Sequence, residues 1–150
     1  MEIASGSGRG FCFLKDARDL VAGRRFDVLY LDPPFSARPY ATYYHLPETI
    51  ARGAEPRVKG EAGMPSPYSS PSDFTSRSHV QEAMQELLEC ADFGLLAFQY
   101  SDGGMVPPAS LRRLLTRYGR VRSFRIPALG YQTRHQPRQT SHTLYVVQHG

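Results

Sequence analysis

The 150-residue sequence is poor in cysteine and has no long apolar run. Its two cysteines, Cys12 and Cys90, are too few for a disulfide framework or a cysteine-ligated zinc site, so we expect buried thiols and no metal. No apolar run approaches the roughly 20 residues that cross a bilayer, and the N-terminus lacks the basic and apolar segments of a secretory signal. These absences predict a cytoplasmic protein without a membrane partner.

Lysine is also scarce. Of the 18 basic residues, all but Lys15 and Lys59 are arginine, and 14 acidic residues leave a net charge of +4. Arginine suits contacts to phosphates and bases because its planar guanidinium binds in a bidentate manner. A GC-rich genome produces the same bias, together with the Pro, Gly and Ala seen here. The charge alone therefore does not decide whether the protein binds nucleic acid.

Apolar periodicity divides the chain into alternating strands and helices. Strands are predicted at residues 11–14, 27–31, 93–100, 120–126 and 143–148. Helices are predicted at residues 16–22, 43–52, 78–91 and from 107 or 108 to 118, and residues 53–75 form a long loop rich in Gly, Pro and Ser. The length fits one domain, residues 1–150, around one core. The alternation predicts an α/β fold with a mostly parallel sheet and an antiparallel C-terminal edge.

The segment Asp32-Pro33-Pro34-Phe35 directly follows the predicted strand at residues 27–31. That strand is almost continuously apolar, which is typical of a strand buried on both faces of a parallel sheet. Ligands of open α/β sheets bind beyond the carboxyl ends of the strands, so the segment is predicted to face a ligand. The alternative is an ordinary turn, in which Asp and Pro are common.

This segment combines a carboxylate, backbone carbonyls without competing N–H donors, and an aromatic ring, since proline has no N–H and a fixed φ. The exocyclic amino group of a base is a poor nucleophile because its lone pair is delocalised into the ring. If the Asp32 carboxylate and the Pro33 carbonyl accept its two hydrogens, the nitrogen can aim its lone pair at an electrophilic methyl group. Phe35 would stack on the base, which must first leave the duplex. Catalysis would then consist mostly of positioning two bound reactants.

Two neighbouring stretches narrow this interpretation. They are Asp32-Pro33-Pro34-Phe35-Ser36-Ala37-Arg38-Pro39-Tyr40 and Tyr43-Tyr44-His45-Leu46-Pro47-Glu48-Thr49-Ile50-Ala51-Arg52. Both resemble the D12 class of adenine-N6 DNA methyltransferases. Weaker similarity continues through Gln99-Tyr100-Ser101-Asp102-Gly103-Gly104 and covers most of the chain.

The resemblance implies a Rossmann-like fold that uses S-adenosylmethionine to methylate N6 of an adenine flipped out of double-stranded DNA. The implied catalytic residues are Asp32, Pro33, Pro34 and Phe35. The implied cofactor-binding residues are Asp16, Ala17 and Asp32. The implied substrate-binding residues are Arg38, Tyr40, Tyr43, Tyr44 and His45. Read without the resemblance, Asp16 is equally well a helix N-cap, and a core-aromatic role is the alternative for Tyr43 and Tyr44.

One feature of the family is missing from the sequence. The family carries a Phe-x-Gly-x-Gly loop after its first strand to hold the methionine end of the cofactor, and here only 15 residues precede Asp16. The glycines between Gly6 and Gly10 precede a predicted strand instead of following one, so we interpret them as a flexible linker. The resemblance therefore implies a partial catalytic domain that lacks the first two strands. A complementing N-terminal segment or chain would complete it.

Two other functions remain open at this point. Small RNA methyltransferases that act on a guanine amino group also resemble a strand ending in Asp-Pro-Pro-Phe, although the stretch from Tyr43 to Arg52 argues against them. The other alternative is a non-catalytic remnant that binds nucleic acid through its arginines. The candidates for that surface are Arg112, Arg113, Arg117, Arg120, Arg122, Arg125, Arg134 and Arg138.

Overall fold

The computed structural model describes residues 8–38, 44–53, 55, 57–61, 64–65, 72–128 and 140–148. Its helices are α1 (Ala17–Val21), α2 (His45–Arg52), α3 (Val80–Cys90) and α4 (Pro108–Leu115), with a 3-10 helix at Asp73–Thr75. Its strands are β1 (Arg25–Leu31), β2 (Val58–Lys59), β3 (Met64–Pro65), β4 (Asp92–Ser101), β5 (Arg120–Ala128) and β6 (Thr140–Gln148).

Four of these strands form one mixed sheet in the order β1-β4-β6-β5, and β2 pairs with β3 in a separate two-stranded sheet. β1 is parallel to β4, whereas β6 is antiparallel to both of its neighbours. Strands β1, β4 and β5 consequently run in one direction, and their carboxyl ends lie at one edge of the sheet. The predicted α/β class and the predicted C-terminal hairpin are confirmed.

The prediction of a mostly parallel sheet is wrong, because only the β1–β4 pairing is parallel. The predicted antiparallel C-terminal edge is confirmed, because the outer strand β5 pairs antiparallel with β6, which lies between β4 and β5. The side chains explain this order. Leu144 to Val147 are apolar on both faces of β6, which suits an inner strand, and Tyr145 and Val147 are buried. Strand β5 carries Arg120, Arg122 and Arg125, and charged side chains are characteristic of edge strands.

The core lies on one face of the sheet. Leu29, Leu96 and Val147 are register partners on adjacent strands, so their side chains point the same way, and all three are buried. Helices α3 and α4 contribute the other side of this buried cluster, with side chains at helical spacing: Val80, Ala83, Met84, Leu87, Leu88, Leu111, Leu114 and Leu115. The apolar stripes predicted for these two helices are confirmed.

The opposite face of the sheet is open over the described residues. Val28 and Tyr30 of β1 are 60% and 56% exposed, and Phe124 and Ile126 of β5 are also exposed. The prediction that the strand at residues 27–31 is buried on both faces is therefore wrong. β1 is an edge strand here, and its second face is exposed at Val28 and Tyr30, toward its carboxyl end.

The strand predicted at residues 11–14 is not formed. Phe11 and Leu14 are exposed, and the Phe11 ring stacks on that of Phe13 with centroids 6.5 Å apart. A strand needs a hydrogen-bonding neighbour, and β1 pairs only with β4 in the described sheet. Cys12 and Cys90 are exposed, so the predicted burial of both thiols is also wrong.

The helix starts were partly predictable. Asp16 caps α1, Pro47 lies in the first turn of α2, and Pro107 precedes α4, as expected. The predicted loop at residues 53–75 contains the β2–β3 pair and the 3-10 helix, whose Phe74 is buried. No helix in the described part of the chain is long and apolar enough to span a bilayer.

Candidate active site at the carboxyl end of the sheet

The Asp32–Phe35 segment leaves the sheet directly after Leu31, the last residue of β1. The loop after β4, residues 102–107, begins at the same edge, and antiparallel β6 enters the sheet there. Three pieces of chain that are far apart in sequence therefore meet beyond the carboxyl end of β1. This confirms the predicted position of the segment.

The functional groups of the segment are accessible. The Asp32 side chain is exposed, Pro33 and Pro34 are half-buried, and the Phe35 ring is 40% exposed. Across the described ranges, the Asp32 carboxylate has no hydrogen bond and no ion pair. The carboxylate is therefore available to accept hydrogen bonds from a ligand, and the neighbouring Pro33 and Pro34 have no N–H to donate to it.

The far end of the segment is anchored. The Met105 backbone N–H donates to the Phe35 carbonyl oxygen over 3.1 Å, which ties the segment to the loop after β4. The Phe35 ring meets the His142 ring of β6 edge to face, with centroids 5.5 Å apart and an interplanar angle of 85°. Phe35 is thus held by its backbone to the loop after β4 and contacted at its ring by β6.

Asp102 joins the loop after β4 to β6 and β5. Its carboxylate accepts hydrogen bonds from Ser141 Oγ at 2.5 Å and Thr143 Oγ1 at 2.6 Å, and from Arg125 Nε at 3.3 Å. Its backbone N–H donates to the Ser141 carbonyl over 2.9 Å. Burial acts to raise the pKa of Asp102, but the hydrogen bonds from Ser141 and Thr143 and the charge of Arg125 outweigh it and hold the pKa below the usual range.

The turn after Asp102 requires glycine at Gly104. A Cβ atom there would overlap the Tyr100 ring and would lie 3.0 Å from the Ser101 carbonyl oxygen. The Gly104 N–H donates to that same carbonyl over 3.0 Å. A larger residue would displace the next residue, Met105, which holds Phe35.

Tyr30 borders the segment from the open face of the sheet. Its hydroxyl donates to Gln99 Oε1 over 2.8 Å. Burial raises the pKa of Tyr30, and the negative charge of Asp32 raises it further. The Asp32 carboxylate therefore lies within electrostatic reach of this face.

Asp16 is the N-cap of α1. Its carboxylate accepts from the Arg18 N–H at 2.9 Å and from the Arg18 guanidinium at 3.1 Å, and these bonds, the side-chain one first, lower the pKa of Asp16. Arg18 also pairs with Asp73 and with Glu86 of α3. Asp16 thus has a structural role, and the cofactor contact implied for Asp16 and Ala17 stays a prediction.

The implied substrate-binding residues are only partly described. Arg38 is exposed three positions after Phe35, Tyr44 caps α2 and is 55% exposed, and His45 is the first residue of that helix. Tyr40 and Tyr43 lie outside the described residues. The substrate contacts of all five stay predictions.

The arginines of the remnant hypothesis do not share one surface. Arg125 binds Asp102 and Arg112 donates to Ser123 on the helix-covered face of the sheet. Arg122 stacks over the Phe124 ring at 5.3 Å on the open face. Arg134 and Arg138 lie outside the described residues. No cluster of His, Cys, Asp and Glu able to hold a metal occurs within the described ranges.

The sequence did not predict that Asp102, Met105 and His142 would lie around the Asp32–Phe35 segment. For Asp102, the available signal was the similarity of residues Gln99 to Gly104 to the D12 class. Contacts between residues 35 and 142 depend on the position of β6 in the sheet, which periodicity does not provide.

Comparison with known proteins places the chain in one family. The family model "D12 class N6 adenine-specific DNA methyltransferase" matches residues 2–95. The type II methyltransferase M.FokI of Planomicrobium okeanokoites is 30% identical over 91% of the chain, and M.NlaIII of Neisseria lactamica is 33% identical over 77%. The modification methylase StsI of Streptococcus sanguinis is 28% identical over 88%.

The chain spans 22%, 34% and 21% of the lengths of these three relatives. No solved structure matches it.

Proposed function

Because the chain belongs to the D12 class of N6 adenine-specific DNA methyltransferases, we propose that it provides the target-base half of a methyltransferase active site. The reaction is methyl transfer from S-adenosylmethionine to N6 of an adenine flipped out of double-stranded DNA. The observation that carries this proposal is the uncommitted Asp32 carboxylate beside Pro33 and the accessible Phe35 ring. Relatives that are modification methylases favour this reaction over RNA guanine methylation and over a non-catalytic remnant.

In the proposed mechanism, the Asp32 carboxylate and the Pro33 carbonyl accept the two N6 hydrogens of the extruded adenine. With both hydrogens held, the nitrogen would move toward tetrahedral geometry and direct its lone pair at the methyl carbon, and the sulfur of the donor would keep the electrons of the broken carbon–sulfur bond. The methylated nitrogen then releases one proton, with Asp32 as the nearest base. Phe35 holds the plane of the base by stacking, worth roughly 1–3 kcal/mol.

S-adenosylmethionine would supply the electrophilic methyl group. We propose that Asp16 and Ala17 contact its adenosine end and that Asp32 borders the methyl group. The Asp16 carboxylate fits this role only in part, because Arg18 already occupies both of its oxygens. Most of the cofactor contacts would therefore come from outside the described residues.

We place a complementing polypeptide segment, which would carry the glycine-rich cofactor loop, on the open face and free edge of β1. The exposed apolar residues Val28 and Tyr30 lie on this face beside Leu95 and Ala97 of β4. Strands of parallel α/β sheets are normally covered by helices on both faces, and an unpaired edge invites a further strand. The relatives are three to five times longer than the matched part, which leaves room for such a segment.

The test is methyl transfer from isotope-labelled S-adenosylmethionine to duplex DNA. The chain is expressed together with the coding sequence immediately upstream, and the DNA product is digested to nucleosides. We expect label in N6-methyladenine alone. Label in a cytosine product, or in the guanine of an RNA substrate and not in DNA, would contradict the proposal.

A further inference from the structure

His142 is the side chain of β6 that meets the Phe35 ring. It lies opposite Ser101 of β4 and Ile126 of β5, at the carboxyl end of the parallel strands. Its neighbours Ser141 and Thr143 are both hydrogen-bonded to Asp102. The backbone that carries His142 is therefore fixed on both sides by one carboxylate.

One nitrogen of the His142 imidazole makes no hydrogen bond to the described part of the fold. This atom, Nδ1, is enclosed and has no hydrogen-bond partner among the residues that the structure describes. Enclosed polar atoms nearly always have a partner, and an enclosed atom without one lowers stability. Folding alone does not account for a histidine at this position, whereas its ring contact to Phe35 does have a use at the site.

We propose that His142 is a positioning residue that holds the Phe35 ring in the orientation in which the extruded adenine stacks on it. The proposal rests on the proposed function. An edge-to-face pair with centroids 5.5 Å apart lies within the preferred range for aromatic rings, about 4.5 to 7 Å. The Met105 hydrogen bond fixes the Phe35 backbone but leaves the rotation of its side chain open. A ring that is already oriented loses less conformational entropy when the base binds.

The experiment measures capture of an accessible adenine by the 150-residue chain. The probes are a duplex with adenine opposite an abasic site and the same duplex with adenine opposite thymine, and the readout is the ratio of the two affinities by fluorescence anisotropy. The variants are Phe35→Ala, His142→Ala, His142→Phe and the double variant Phe35→Ala/His142→Ala. Phe124→Ala is the matched control, because Phe124 is an exposed aromatic on the same sheet face, away from the segment.

We expect the wild-type chain to prefer the abasic-opposed adenine. Phe35→Ala should reduce this preference about tenfold, within the range for one stacking contact. His142→Ala should reduce it about three- to tenfold, because the Phe35 ring is still present but is no longer held. His142→Phe should stay within about twofold of wild type because it keeps the ring edge, and the double variant should be no worse than Phe35→Ala. The melting temperature of His142→Phe should equal or exceed that of wild type, since the enclosed nitrogen is gone.

An unchanged preference in His142→Ala, or additive losses in the double variant, would overturn the proposal for His142 while leaving the methyltransferase proposal intact. Equal losses in His142→Phe and His142→Ala would do the same, because the ring edge would then not be the relevant contact. A wild-type chain without any preference for the abasic-opposed adenine would overturn both proposals.

Discussion

Replacing Asp102 tests whether one carboxylate organises the candidate active site. In Asp102→Ala, Ser141 and Thr143 lose a charged acceptor at 2.5 and 2.6 Å, and Arg125 loses its partner at 3.3 Å. Hydrogen bonds to a charged group contribute about 1.5 to 3 kcal/mol each. The Asp102 side chain is 20% exposed, and water can reach the half-buried hydroxyls, so we take the lower end of that range. The two hydroxyl bonds at that lower end give an expected loss of about 3 kcal/mol of unfolding free energy, and the pair with Arg125, whose side chain is 77% exposed, adds little.

The assay is urea unfolding followed by far-UV circular dichroism, with thermal melting as a second readout. For a chain of this length the loss corresponds to a decrease of about 6 to 12 °C in melting temperature. Asp102→Asn keeps one oxygen acceptor and should lose about half as much free energy. The matched control is Asp92→Ala, whose ion pair with Arg25 is 58% and 71% exposed and should contribute at most about 1 kcal/mol. If Asp102→Ala were no less stable than Asp92→Ala, the organising role of Asp102 would be refuted.

Two further predictions concern pH and the open face of the sheet. The pKa of Asp102 is lowered by folding, so its contribution to stability is present above its unfolded pKa, near 3.8, and is lost as the pH falls through the lower folded pKa. The difference in unfolding free energy between wild type and Asp102→Asn should therefore shrink as the pH falls below about 4. A difference that stays constant until the Asp102 carboxylate is fully protonated would contradict the stabilising role of its charged form. Val28→Lys should change the stability of the chain by less than about 0.5 kcal/mol, because Val28 is 60% exposed, yet it should abolish methyl transfer that depends on the complementing segment. The control is Val58→Lys, because Val58 on β2 is similarly exposed at 59%. Equal methyl transfer by the two lysine variants would show that the open face is not the docking site.

The sequence predicted those parts of the fold that depend on local pattern. Helices α3 and α4 have their apolar residues at helical spacing, and the position of Asp32 at the end of β1 is visible as an apolar run followed by two prolines. The site residues that depend on long-range register were not predictable. Phe35 meets His142, and Asp102 meets Ser141, only because β6 is inserted beside β4.

The incorrect predictions share a physical cause. The apolar run at residues 11–14 and the second face of β1 were expected to be buried because apolar residues usually are. Burial needs a partner layer, and the described sheet supplies one only on the side of α3 and α4. Phe11, Leu14, Val28 and Tyr30 are consequently exposed.

The central claim is that Asp32 accepts hydrogen atoms of the adenine amino group during methyl transfer. The most direct measurement compares wild type, Asp32→Ala and Asp32→Asn in the isotope-transfer assay with duplex DNA, while DNA affinity is measured in parallel. We expect Asp32→Ala to form no detectable N6-methyladenine and Asp32→Asn to be severely impaired, while both variants bind DNA within about twofold of wild type. Wild-type turnover by Asp32→Ala would contradict the central claim.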